Sequence, residues 1–198
     1  MSTTRTPFES ECFYHVYNHA RGRDNLFSTD WDYKTFLELV RKFITPVATI
    51  YAYCLMPNHF HFLVRNREIQ IPSDFKHKDE NSYFSHQWGS VQNTFSKKKN
   101  YRSGKRGGLF CQSINRALID SEQYLQMCMV YIHNNPVKHG FSSSPGEWKY
   151  SSYKAIISLE KTDIARESVL RWFESKQNFK AYHESNADEL FAEKYKLR

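Results

Sequence analysis

Two histidines stand two residues apart inside an apolar run, Met56-Pro57-Asn58-His59-Phe60-His61-Phe62-Leu63-Val64. In a β-strand, side chains at i and i+2 share a face, so His59 and His61 project together while Phe60, Phe62 and Val64 point the other way. Paired imidazoles on one sheet face suit a divalent metal and leave room for another ligand and a substrate oxygen. A His-x-His pair alone is also compatible with ordinary packing. A third group of matching chemistry is needed.

That group lies in a segment with helical signals, Asp120-Ser121-Glu122-Gln123-Tyr124-Leu125 running on to Tyr131-Ile132-His133-Asn134-Asn135-Pro136. Asp120 and Gln123 resemble a capping box, Glu122 favours the positive helix end, and Pro136 with Gly140 marks termination, so a helix is expected over 121–135. Tyr131 and Asn135 are four residues apart and stack on one face. A tyrosine oxygen is a competent nucleophile toward a polarised phosphate, and an asparagine carbonyl can complete a metal shell begun by two histidines. Tyr124, seven residues before Tyr131, shares nearly the same face, and spacing alone does not choose between them.

The elements that must position these residues read as follows. Cys12 to Asn18 is aromatic and β-branched, a first strand. Asp30 to Phe43 is a helix, with Phe36, Leu37, Val40 and Ile44 at helical spacing and Asp30 or Thr29 as N-cap. Val47 to Leu55 is a second strand, and His59 to Arg65 a third, entered through Pro57-Asn58. A second helix is expected over Ser82 to Lys99 and a fourth strand over Leu109 to Asn115. The order β-α-β-β-α-β defines an α+β, ferredoxin-like or RRM-like antiparallel sheet with helices on one face. The nucleophile helix and a helical C-terminal appendage follow, with short helices expected over Glu167 to Phe173 and Asn178 to His183. The division is a catalytic part over 1–141, including the tyrosine helix, and an appendage over 142–198 packed on the same domain.

Charge points to the partner. Lys and Arg number 28 against 21 Asp and Glu, a net charge of +7, and 16% of residues are aromatic. Cations neutralise phosphates and rings stack on unpaired bases, a combination that suits nucleic acid. Lys97, Lys98, Lys99, Arg102, Lys105 and Arg106 form a basic run with Gly104, Gly107 and Gly108, read as a flexible phosphate-contacting loop rather than a solvated face. Cys12, Cys54, Cys111 and Cys128 are scattered and expected to be reduced thiols. The polar Met1 to Glu9 is not a signal peptide, and no run approaches the roughly 20 apolar residues of a membrane span. A soluble, cytoplasmic protein is expected.

The histidine segment, together with Tyr131-Ile132-His133-Asn134-Asn135-Pro136-Val137-Lys138-His139-Gly140, resembles the single-strand tyrosine transposases of bacterial insertion sequences. The REP-associated tyrosine transposases, within the HUH endonuclease superfamily, are the most similar branch. The likeness runs from about Glu11 to Tyr153 and includes Trp148-Lys149-Tyr150-Ser151-Ser152-Tyr153. It implies that His59, His61 and Asn135 bind the metal and that Tyr131 is the nucleophile. It further implies cleavage and rejoining of single-stranded or hairpin DNA through a 5′-phosphotyrosine bond, with a 3′-hydroxyl released and no ATP required. Imidazole and amide ligands also accept Zn²⁺ or Co²⁺, but substrate must enter the shell, so Mg²⁺ or Mn²⁺ is expected. Monomers and homodimers are both compatible with the resemblance. His15, His19, His133 and His139 are left outside the metal shell. The rival readings are a non-catalytic nucleic-acid-binding module on the same sheet, and a domesticated relative that cuts its recognition DNA without mobilising itself.

Overall fold

A computed structural model describes residues 6–22, 24–111 and 113–184. Four strands, β1 (Phe13–His19), β2 (Ala48–Met56), β3 (His59–Asn66) and β4 (Asn115–Ile119), form one antiparallel sheet in the order β2-β3-β1-β4. Six helices accompany it among the described residues: α1 (Asp30–Phe43), α2 (Glu80–Ser103), α3 (Glu122–Lys138), α4 (Tyr153–Ile157), α5 (Arg166–Trp172) and α6 (Lys176–Glu184). The fold is α+β.

Alternation along β3 decides what each face of the sheet holds. Phe60, Phe62 and Val64 are fully buried on the side of α1 and α2, where Phe36 lies 4.9 Å from Phe60 and Trp88 5.4 Å from Phe62, ring centre to ring centre. Each such phenylalanine contributes about 1.5–3 kcal/mol by leaving water. His59 and His61 therefore face the opposite side, which α3 covers over β2 and β3. Helices thus lie on both faces of the sheet.

Local chemistry explains most element ends. Thr29 caps α1 in a reciprocal box with Asp32: its hydroxyl accepts from the Asp32 N–H at 3.4 Å, and the Asp32 carboxylate accepts from the Thr29 N–H at 2.9 Å. α2 begins on Asp79 and ends at Gly104, whose φ of 66° lies in the left-handed region. It therefore carries Lys97, Lys98, Lys99 and Arg102 on its last turns, and only Lys105 and Arg106 belong to the following loop. The expected loop is mostly helix.

Two further expectations are corrected. The fourth strand is Asn115–Ile119, not Leu109–Asn115; Phe110 makes only an isolated bridge to Ala20. Ser121, not Asp120, caps α3, accepting from the Tyr124 N–H at 3.3 Å. That helix continues through Pro136 to Lys138, so proline removes one hydrogen bond without ending it.

Residues 142–184 add to the same core, with Tyr153, Ile156, Val169, Phe173 and Phe179 buried among it. Residues 148–152 run along the outer edge of β2: the Leu55 N–H donates to the Tyr150 carbonyl at 2.9 Å and the Trp148 indole N–H to the Leu55 carbonyl at 3.0 Å. An otherwise open strand edge is thereby covered. Residues 185–198 of the expected appendage lie outside the described residues.

Candidate active site

The registry of β1 and β3 assembles a row of rings on the α3 side of the sheet. His59 pairs across the strands with His19, and His61 with Tyr17. His15 lies diagonally beside His61. The turn before His59 is held by two backbone bonds, Ala20 N–H to the Asn58 carbonyl (2.7 Å) and Phe27 N–H to the Pro57 carbonyl (2.9 Å). From the other side, α3 brings Asn135 Oδ1 to 2.7 Å from His59 Nε2. The Tyr131 ring stands 5.5 Å from that of His61 and 5.9 Å from that of His15, both edge-on. His59, His61, Tyr131 and Asn135 thus meet in one place. Tyr131 and Asn135 are nearly inaccessible, at 3% and 1% exposure. Tyr124 sits seven residues earlier, about 10 Å up the helix axis.

Each histidine of the pair is oriented from behind. His59 Nδ1 lies 2.7 Å from Asn58 Oδ1, and His61 Nδ1 lies 2.9 Å from His15 Nε2. Burial pushes His59 down to about 4, with the Asn135 contact partly offsetting it. Burial, then the neighbouring His59, holds His61 well below the usual range, and burial alone takes His15 to about 3. All three imidazoles are neutral at pH 7. Asn58 can only accept through its Oδ1, so His59 carries its proton on Nδ1 and presents a bare Nε2 to Asn135. Lone pairs of nitrogen and oxygen then face each other at 2.7 Å. A divalent cation shared by both resolves that conflict, as does turning the Asn135 amide to offer its N–H. For His61, a proton on Nδ1 donated to His15 leaves Nε2 as the ligating atom, the usual arrangement behind a metal-bound histidine.

The residues present, two neutral imidazoles and an amide oxygen, fit a divalent ion. Among the described residues, no group of three or more His, Cys, Asp or Glu is arranged to hold one; the further oxygen donor set against the pair is Asn135 Oδ1, 2.7 Å from His59 Nε2. Lys138, the last residue of α3, places its Nζ 5.6 Å from the centre of the Tyr131 ring.

The basic run is elsewhere. It closes a helix on the opposite face of the sheet from the histidines. Lys97, Lys98, Arg102, Lys105 and Arg106 are exposed, and Arg102 lies over the Trp31 ring at 4.7 Å. Lys99 instead turns inward, donating to the Leu26 and Asn25 carbonyls at 2.6 and 3.1 Å and pairing with Asp32 at 3.5 Å.

Sequence reasoning missed the orienting roles of Asn58 and His15 and the place of Lys138. A signal existed for one of them. His15, Tyr17 and His19 alternate along β1, a spacing that sends all three to one face. Which face was invisible until β1 was paired with β3.

No family model matches the chain. A Haemophilus influenzae protein named for the REP-associated tyrosine transposases is 27% identical to it over 115 residues, 58% of this chain. Over that stretch the chain is similar to the REP-associated tyrosine transposases. It matches 64% of the length of that relative. A solved REP-associated tyrosine transposase, bound to a REP hairpin, superposes with a TM-score of 0.60 at 19% identity, covering 79% of this chain and 86% of the other. That second likeness is one of fold.

Proposed function

We propose that this chain, similar to the REP-associated tyrosine transposases, is a single-stranded DNA endonuclease and strand transferase of the HUH type. The observation that carries the reading is the convergence of Tyr131, on one helix, with His59 and His61, on one strand, and Asn135 between them. The basic composition and the hairpin held by the solved relative support single-stranded or hairpin DNA as partner. The strand order β2-β3-β1-β4 supports a ferredoxin-like frame, divided into a catalytic part over 1–141 and an appendage over 142–198. No helix among the described residues is long and apolar enough to cross a membrane, which accords with a protein acting on DNA in the cytoplasm.

In this reading His59, His61 and Asn135 hold Mg²⁺ or Mn²⁺, which when bound withdraws charge from the scissile phosphate. Tyr131 gives up its phenolic proton and its oxygen forms a new bond to phosphorus. The 3′-oxygen leaves with a proton as a hydroxyl, and the 5′ side stays on the enzyme as a phosphotyrosine. Because one phosphodiester replaces another, a 3′-hydroxyl can reverse the step without ATP. His15 and Asn58 keep the two ligating imidazoles in the required tautomers throughout. Lys138 supplies positive charge beside the tyrosine as it ionises.

The test is incubation with labelled single-stranded hairpin DNA from the sequences flanking the gene, in Mn²⁺, resolved on a denaturing gel. A protein–DNA adduct that disappears in Tyr131→Phe is the expected result. Binding without an adduct, on every flanking hairpin tried, would replace this reading with that of a DNA-binding module.

A further inference from the structure

Behind the tyrosine helix lies a second histidine cluster that the reaction just described does not use. His133 projects from α3 between Tyr131 and Asn135 in sequence, and it is fully buried. Its Nδ1 is 2.9 Å from Nε2 of His183, on α6. Its Nε2 is 2.8 Å from the hydroxyl of Ser152, in the segment that edges β2. His183 Nδ1 is 2.7 Å from the Phe179 carbonyl, and the Ser152 hydroxyl accepts from the Tyr53 N–H at 2.8 Å.

These contacts admit one direction of hydrogen bonding. A carbonyl only accepts, so His183 bears its proton on Nδ1 and offers a lone pair at Nε2. His133 must then donate from Nδ1, which leaves its own Nε2 to accept the Ser152 O–H. The Ser152 hydroxyl, whose oxygen accepts from the Tyr53 N–H, has two acceptors within reach, the Tyr53 carbonyl at 3.3 Å and His133 Nε2 at 2.8 Å. The shorter contact, which also leaves no buried imidazole nitrogen without a donor, takes its proton. The chain runs Ser152 to His133 to His183 to Phe179, with each of these groups satisfied. It fastens one point of α3 to strand β2 on one side and to α6 on the other. Asn134, the next residue, adds a bond from its amide N–H to the His183 carbonyl at 3.1 Å.

A helix is fixed in rotation only where something off its axis grips it. Contacts on the Tyr131 face cannot both set that rotation and stay open for DNA. We propose that His133, Ser152 and His183 are positioning residues that set the rotation of α3, aiming Tyr131 and Asn135 at the histidine pair. The C-terminal appendage is on this view part of the catalytic apparatus, acting through His133. The inference rests on the DNA-cleaving function proposed above. A misplacement near 1 Å in such a site costs on the order of 100-fold in rate, whereas grip on the DNA, made elsewhere, is unaffected.

The experiment uses the full chain with the flanking hairpin DNA in Mn²⁺ and three variants. Ser152→Ala removes the donor to His133, Ser152→Thr retains a hydroxyl, and His183→Phe keeps a ring but removes the acceptor. For each, the single-turnover rate of adduct formation at saturating DNA, the DNA dissociation constant and the melting temperature are measured. Nitrogen-15 spectra of the wild-type histidines report which ring nitrogens carry protons. Expected are a rate lowered about 10- to 100-fold in Ser152→Ala and His183→Phe, DNA affinity within about twofold of wild type, and recovery of most of the rate in Ser152→Thr. His133 is expected to be protonated on Nδ1 alone. A lower melting temperature with an unchanged rate per folded molecule overturns the proposal and leaves the cluster a packing feature. A His133 proton on Nε2 overturns it too. Absence of any adduct from the wild-type protein removes the parent reading and this one with it, an outcome distinct from an active wild type with active variants.

Discussion

At the scale of single residues, chemistry is set by what stands behind each functional group. His59 and His61 are legible from their spacing, because a two-residue interval on a strand leaves no other geometry. Asn135 and Tyr131 are legible as a helical pair four residues apart, although spacing leaves Tyr124 open beside Tyr131 and only the family resemblance chooses between them. Asn58 and His15 are not, since their contribution is to face the far nitrogen of each imidazole. Two predictions belong here. His59→Ala is expected to weaken Mn²⁺ binding by at least 10-fold, read by titration calorimetry or by the Mn²⁺ electron paramagnetic signal, while Tyr131→Phe leaves it unchanged. Equal binding by both variants would place the metal site elsewhere. His15→Leu keeps bulk but removes the partner of His61 Nδ1. It is expected to lower metal affinity by about 10-fold with DNA binding intact, and an affinity equal to wild type would reduce His15 to a packing residue.

At the scale of elements, the basic end of α2 divides into two kinds of lysine that composition does not distinguish. Lys97 and Lys98 are exposed. Replacing both with Gln is expected to shallow the salt dependence of single-strand binding, by about 0.7 in logarithmic slope for each phosphate no longer neutralised. An unchanged slope would make them a solvated surface. Lys99 is committed to the fold, with its side chain 16% exposed and that of Asp32 6% exposed. Lys99→Gln removes the ammonium from two carbonyls and a buried carboxylate, and is expected to cost about 1–3 kcal/mol in urea unfolding. Its effect on the salt slope should be small. The sequence carried α1 well, because its apolar spacing and its cap agree. It misled at β4, where Leu109-Phe110-Cys111 has the apolar look of a strand yet serves as loop packing. The true strand, Asn-Arg-Ala-Leu-Ile, shows no clean alternation. The end of α2 was invisible for a related reason: Asn100 to Ser103 has no apolar face, and only the left-handed Gly104 marks the stop.

At the scale of the whole molecule, the burial of so many histidines ties stability to pH. Of the nine histidines in the chain, His15, His59, His61, His133 and His183 are buried, a property that arises only when strands pair and helices close over them. His15, His61 and His133 are at most 3% exposed and His59 5%. Burial lowers all four, to about 3 for His15 and about 4 for His59. The unfolded chain takes up protons near pH 6.5, whereas the folded protein resists them. Below that pH the unfolded state therefore binds more protons, and stability falls as pH falls; above it the effect vanishes. At pH 5 each such histidine costs about 2 kcal/mol, and two of them already consume a large part of the 5–15 kcal/mol typical of a domain. Urea unfolding of the metal-free protein, held in chelator, should show a midpoint that is level from pH 8 to 7 and drops steeply between 6.5 and 5. A bound ion at His59 and His61 must be displaced before those rings protonate, so saturating Mn²⁺ should move the drop to lower pH. A profile that is flat down to pH 5 without metal would mean that the histidine rows are hydrated, and that the closed packing of α3 over the sheet is wrong.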